Sequence, residues 1–396
     1  MANGFWSDTA ADAALKSGCV QHVTSVGETI NASTIFVDYY SMNSGDPYKL
    51  ALQTDTYSVV VPIYQNIDRS FFTGSFVQLL QNTIYTLTES VTLTSQFYFD
   101  ITGPYITFDG NDFTITISGV QGWSGLFMNG NFNFNGHSNV LIKNLGISTI
   151  NSTLYLAQGW ICRNYYGAGA TNNIIEKCYS TGPITGKDTG GICGSYIGIN
   201  HGVVAVRNCY STGEISGTGA GGICGSYIGM KGASDGYSVG ILGASILIVG
   251  CYSLGNIIGD SAGGICGYRC GGSGANKQLT IQNCYTHGTI TGLNTGGICG
   301  AELGYGNGTT LITNCYTIGY VANYKRGLYG SQAEIYEEGW GYSLTGTIRE
   351  PGCYTALGPW ISAEAHARLG NRQQVSTYNE ELDINTVYVD YTYMGT

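Results

Sequence analysis

Charge is scarce in this sequence. Lys, Arg, Asp and Glu together make up 11% of 396 residues, less than half the ordinary share. The 16 Lys and Arg stand against 26 Asp and Glu, for a formal net charge of −10. A nucleic-acid binder displaces counterions with clustered cations, and these are scattered, so nucleic acid is not an expected partner. Pro is equally sparse, with six residues and no Gly-X-Y period, which excludes collagen. Lys and Glu, good helix formers, are few beside the many Gly, Thr, Asn and Tyr, so a helix-rich fold is excluded. No apolar run approaches the ~18 residues of a membrane span. The longest candidate, VGILGASILIVG at 239–250, is too short. The start, MANGFWSDTAADAALKSG, lacks a basic segment followed by an apolar one, so no cleavable signal peptide is expected.

Glycine, tyrosine and cysteine are abundant. There are 61 Gly, about 15% where ~7% is usual, together with 31 Tyr and 13 Cys. Apolar residues at 43%, with 12% aromatic, supply a core and exclude disorder. Thirteen Cys behind no signal peptide set an extracellular count against a cytosolic route.

Four segments superimpose without gaps: CYSTGPITGKDTGGICG (178–194), CYSTGEISGTGAGGICG (209–225), CYSLGNIIGDSAGGICG (251–267) and CYTHGTITGLNTGGICG (284–300). A degraded copy starts at Cys315 and another at Cys353. Upstream, KNLGIS (143–148) with QGWIC (158–162) reads as a copy lacking its first Cys, and GWSGLF (122–127) as a trace of one more. The basic unit is therefore about 31 residues, as from Cys178 to Cys209, with insertions in 230–245 and 325–350. Each unit opens on an alternating run such as VVAVRN or LTIQN, which predicts a strand with Val206, Ile281 and Ile312 on its apolar face. A second short apolar position follows a Gly (Ile184, Ile215, Ile257, Ile290), and a third strand is expected at GGICGSYIG. One such unit cannot bury its inner face, whereas stacked units at ~4.8 Å can. The expected fold is all-β, a parallel β-helix of roughly 30-residue coils over 61–355, on the order of 45 Å long.

The pattern N-C-Y-S-x-G-x-I-x-G…G-G-I-C-G resembles the GLUG-motif repeat, found in large bacterial surface proteins and adhesins and in proteins of giant amoebal viruses. ITFDGNDFTITISG (106–119) resembles the opening strands of many such β-helices, and the likeness covers about 106–355. The chain departs from the usual GGLVG by placing Cys where an aliphatic residue sits. The resemblance implies a right-handed parallel β-helix associated with surfaces and adhesion rather than with one reaction.

Two Cys columns follow from the register: Cys178, Cys209, Cys251, Cys284, Cys315, Cys353 and Cys162, Cys193, Cys224, Cys266, Cys299. Stacked neighbours lie within disulfide reach, so one reading is a covalent ladder. The other is free buried thiols acting as small apolar residues. Cys270 falls outside both columns and is the candidate for an irregular bridge. No zinc or other metal site is expected, because no paired CxxC exists and the five His share no spacing. Tyr179, Tyr210, Tyr252, Tyr285, Tyr316 and Tyr354 follow each first Cys and predict an exposed aromatic column. Asp109 and Asp112 in DGND are the best acid–base pair, although an opening turn explains them. No GxSxG, HExxH or P-loop pattern appears, so neither a catalytic residue nor a cofactor is expected.

The two ends match. Trp6 to Leu15 (WSDTAADAAL) resembles Trp360 to Leu369 (WISAEAHARL), and TIFVDYYSM (34–42) resembles TVYVDYTYM (386–394). Val37 and Tyr39 correspond to Val389 and Tyr391. Both read as a small helix–strand cassette, at 1–60 and 356–396. A β-helix end templates further strands unless capped, and equivalent cassettes permit head-to-tail joining into a filament. The expectation is a self-assembling structural subunit of a filament, fibre or virion outer layer. Its partners would be itself, other particle proteins or host surface glycans. It would be assembled in host cytoplasm for a virion or extracellular fibre. The alternatives are an adhesin at a bacterial cell surface and a polysaccharide-binding or -cleaving β-helix.

Overall fold

The structure, a computed structural model, describes residues 62–131, 133, 135–229, 244–271, 278–303, 309–317, 347–349 and 354–355. The chain divides into two compact units, Met1–Pro62 and Ile63–Thr396. Both terminal cassettes lie outside the described residues. With them go Trp6, Leu15, Val37, Tyr39, Trp360, Leu369, Val389 and Tyr391, and Cys353 also falls outside.

The described residues from Ile63 to Thr355 form a parallel β-helix, all β but for one 3-10 turn at Arg69–Phe71. Its long sheet holds ten parallel strands in chain order: Ile63–Ile67, Thr83–Leu87, Ile106–Asp109, Val140–Lys143, Asn173–Glu176, Val203–Arg207, Ser245–Val249, Gln278–Gln282, Thr309–Thr313 and Thr347–Arg349. A second sheet of nine begins with Val91–Leu93, Thr114–Ser118 and Gly146–Ile150. It continues as two-residue strands from Tyr179–Ser180 to Tyr354–Thr355. The third sheet has three strands, Phe76–Leu79, Tyr98–Ile101 and Phe127–Met128. Past Met128 the expected third strand of each repeat shrinks to single bridges, Gly190 to Gly221 and Cys193 to Cys224 among them. The glycines around each bridge turn the chain before a longer strand can form.

Alternation builds the long sheet as the sequence predicts. Val204 and Val206 point inward, in register with Ile246 and Ile248 and then Leu279 and Ile281, and all six are buried. β-branched side chains suit such a pleated, packed surface. The residue before each described first Cys takes a left-handed backbone, Lys177 (φ 51), Asn208 (φ 51), Gly250 (φ 64), Asn283 (φ 54) and Asn314 (φ 51), as does Asn144 (φ 51) before Leu145 in the copy that lacks it. Asn enters this region at lower cost than most L residues, which explains why the motif reads N-C-Y. Its amides also ladder, since Asn314 Nδ2 donates to Asn283 Oδ1 at 3.3 Å.

The core changes character along the helix. Phe99 and Phe127 stand in one inward column with Cys162, Cys193, Cys224, Cys266 and Cys299. Another column runs Val91, Ile115, Ile147, Ser180, Ser211, Ser253, Thr286, Thr317. The early coils are filled by large groups, with Phe108 and Phe127 ring centres 4.8 Å apart. The later coils hold thiols and hydroxyls because their walls meet. A Cβ added to Gly222 would lie 2.7 Å from the Cβ of Ser253. Size selects serine there, for the buried hydroxyls of Ser180, Ser211 and Ser253 carry no hydrogen-bond partner.

Candidate functional site

The cysteine columns are sealed. The eleven described Cys (162, 178, 193, 209, 224, 251, 266, 270, 284, 299 and 315) are buried thiols, none of them in a disulfide. In the first column backbone carbonyls receive the S–H groups: Cys209 Sγ donates to Arg207 O at 3.2 Å and faces Ile175 O at 3.7 Å. Cys284 repeats this with Gln282 O and Ile248 O. Burial pushes the thiols of Cys162, Cys178, Cys209, Cys224, Cys251, Cys266 and Cys284 well up. The first proton to leave its column comes from Cys193, because Cys162 and Cys224 both donate to its sulfur. A thiolate is the nucleophile and the metal ligand, and at those seven raised positions burial favours the neutral form. Cys270 is a free thiol donating to Gly267 O at 3.3 Å. Among the described residues no three His, Cys, Asp or Glu side chains converge to hold a metal ion.

Tyrosines form two ladders. Tyr179, Tyr210, Tyr252 and Tyr285 stack with ring centres 5.1, 4.9 and 4.9 Å apart and planes within 9°. The column is only partly exposed, since Tyr252 and Tyr285 are buried. The second ladder has no counterpart in the sequence reading. Tyr165, Tyr196 and Tyr227 stack at 5.1 and 4.7 Å, each on a left-handed backbone of φ 60. It ends where Tyr268 turns edge-on and donates its hydroxyl to Glu302 Oε1 at 2.7 Å, while Arg269 holds Oε2 at 2.7 Å.

The DGND pair is a turn. Asp109 accepts from Asn111 N (2.9 Å) and Asn144 Nδ2 (3.0 Å) and pairs with Lys143 at 3.2 Å. Asp112 is exposed, with φ 61. The two carboxylates therefore share no acid–base arrangement.

A different set of side chains meets on the outer face of the third sheet. The Tyr98 ring lies between Phe76, 5.3 Å away and tilted 19°, and the Arg163 guanidinium, 3.8 Å from its centre. Asp100 pairs in register with Gln78 and Met128. Arg163 Nε reaches Gly125 O at 3.4 Å and its Nη1 reaches Met128 Sδ at 3.7 Å. His137 is fixed by its backbone, whose N–H donates to Asn129 Oδ1 at 2.7 Å and whose carbonyl accepts from Asn129 Nδ2 at 3.0 Å. Burial raises the Asp100 carboxyl against the pull of Arg163 and His137, and burial lowers His137 against Asp100. Arg163 stands where the later repeats carry Gly194, Gly225, Gly267 and Gly300. That substitution of GWICR for GGICG was the available signal.

Asp188 is the most deeply buried described carboxylate, 7% exposed. It accepts from Ser226 Oγ at 2.7 Å, and burial raises it above its ordinary 3.8. A raised carboxyl favours its protonated form in the folded state. The stability it adds is thus full below pH 3.8 and is lost as pH rises through the folded-state value. Asp188→Asn keeps an αL-tolerant residue at φ 58, where a later repeat has Asn294. Scanning calorimetry across pH 4–8 should show the variant gaining on the parent as pH rises. A constant difference would refute the assignment.

No family model matches the chain, and no curated protein matches it. Among the described residues no helix is long and apolar enough to cross a membrane. A search of solved structures finds a proposed immunoglobulin A1 protease from Bacteroides ovatus, whose crystal structure at 1.30 Å resolution is similar with a TM-score of 0.39 and 18% identity, over 78% of this chain and 86% of that one.

Proposed function

We propose that this protein is a structural, self-assembling β-helical subunit of a filament, fibre or virion outer layer, joined head to tail through its terminal cassettes. One observation carries the reading: from Cys162 to Cys315 the same side chains recur layer on layer, as stacked Cys, Ser or Thr, Tyr and Ile. Such uniformity serves stacking, whereas a reaction site needs different groups converging on one point. The GLUG-like repeat supports a particle component of a giant amoebal virus, with a bacterial cell surface as the alternative source. Its partners are further copies of itself, other particle proteins and host surface glycans.

The experiment is electron microscopy of the full chain beside a chain ending at residue 355. Fibres from the first and single particles from the second are expected. Equal fibre formation by both would overturn head-to-tail joining. The adhesin or polysaccharide-binding alternative rests on the Tyr98–Asp100–His137–Arg163 patch. It calls for single particles from both chains, with retention on polysaccharide that is lost in Arg163→Ala.

A further inference from the structure

The outward face of the long sheet carries three rows along the helix axis. The middle row reads Ile84, Thr107, Leu141, Ile174, Ala205, Leu247, Thr280. One flanking row is uncharged: Asn172 stands beside Val203, followed by Ser245 and Gln278, and Tyr105 and Asn139 come before. Among the strands from Thr83–Leu87 to Gln278–Gln282, the other flanking row holds every charge on this face. It reads Thr86, Asp109, Lys143, Glu176, Arg207, Val249, a string of minus, plus, minus, plus.

Reversed end for end, that string becomes plus, minus, plus, minus. Two copies laid face to face with their axes antiparallel, about a twofold axis between the Lys143 and Glu176 strands, therefore meet with opposite charges throughout. Lys143 faces Glu176 of the second copy, and Asp109 faces its Arg207, each twice. The same operation sets Leu141 over Ile174 and Ile84 over Leu247 at the centre of the contact. It brings the exposed Tyr105 (62%) to the level of the exposed Val203 (39%). Val203 lines a groove of about 390 Å³ on this face with Asn172, Ile174, Ala205, Leu247 and Thr280. A slip of one strand would set Lys143 against Lys143 and Asp109 against Glu176, so the charges specify register as well as attraction. Parallel axes would set the charges against the uncharged row. Eight strands at ~4.8 Å, three outward residues wide, cover on the order of 600 Å² per copy, or about 1,200 Å² in total, the lower bound for a specific interface.

From this self-complementarity we propose that the long sheet's outer face binds a second copy of the chain in antiparallel register, a lateral contact separate from the terminal cassettes. The test mixes ¹⁴N- and ¹⁵N-labelled full chain at low salt, cross-links with a carbodiimide and measures association by sedimentation velocity. Isotope-mixed Lys143–Glu176 cross-links are expected. Glu176→Lys should weaken lateral association at least tenfold by facing Lys143 with a lysine. Glu176→Lys combined with Lys143→Glu rebuilds the complementary string and should restore it, which also controls for misfolding. Absence of mixed cross-links in the parent, or association indifferent to Glu176→Lys, would overturn the proposal. Fibres that survive Glu176→Lys but vanish on removal of 356–396 separate end joining from lateral pairing.

Discussion

Gly221→Ala is expected to cost at least ~3 kcal/mol, while Gly119→Ala, a substitution of the same chemistry, costs only ~1 kcal/mol. A Cβ on Gly221 would overlap the carbonyl oxygen of Cys224 in its own coil and come within 2.6 Å of Gly267 N in the next. Both neighbours are backbone and already committed to each other, since Gly267 N donates to Cys224 O at 3.2 Å. Neither can withdraw without opening the stack. At Gly119 nothing lies within 4 Å, and the penalty is only that of an L residue at φ 74. Urea denaturation of the two variants measures the contrast. Because coils contact only their neighbours, the loss should also be local. Native-state hydrogen exchange should show the amides of Cys193, Cys224 and Cys266 deprotected while Phe99 and Phe127 keep their protection. Equal costs at the two glycines would mean that the corner yields and that close backbone approach does not hold the repeat in shape.

Cys224→Asp should cost more than ~4 kcal/mol, and Cys224→Ala about 1–2 kcal/mol. Cys224 is fully buried between Cys193 and Cys266, and its thiol is already pushed up by desolvation. A carboxylate placed there has only thiols as column neighbours and no cation. Its burial would raise its pKa, so the deficit should narrow as the pH falls and the group takes up a proton. Thermal melts at pH 4 and pH 8 supply the readout. An Asp variant as stable as the Ala variant at pH 8 would show that water reaches the column.

The repeat was legible because its chemistry is uneven. A Cys every 31 residues or so stands out against Gly and Ser, and period-two alternation places Val206 and Ile281 inward with no further information. The Asn before Cys209, Cys284 and Cys315 was visible but silent until its backbone proved left-handed. What the sequence hid depends on register between unlike coils. Lys143, Glu176 and Arg207 each stand two residues before the first repeat position (Leu145, Cys178, Cys209), but Asp109 lies upstream of the repeats and only strand pairing sets it in their row. Tyr98 and Asp100 come from one strand, His137 from a loop and Arg163 from the corner after Cys162, and no spacing rule joins them. Tyr252 and Tyr285 were expected at the surface by analogy with their ladder, yet both are buried. The expected third strand failed for a local reason, since in GGICG each bridged residue is followed at once by glycine (Gly191 after Gly190, Gly194 after Cys193), which turns the chain.

The change of filling from phenylalanine to cysteine gives the helix a direction in time. Apolar burial of a large ring is worth ~1.5–3 kcal/mol, and Phe97, Phe99, Phe108 and Phe127 gather within two or three coils. Thiols and hydroxyls of the later coils release far less on collapse. The aromatic end is therefore where a folding nucleus costs least, and each later coil then condenses on a finished edge, needing contacts only ~31 residues back along the chain. During synthesis that end also leaves the ribosome first. The order of emergence and the order of stability coincide, so the chain can be wound up as it is made.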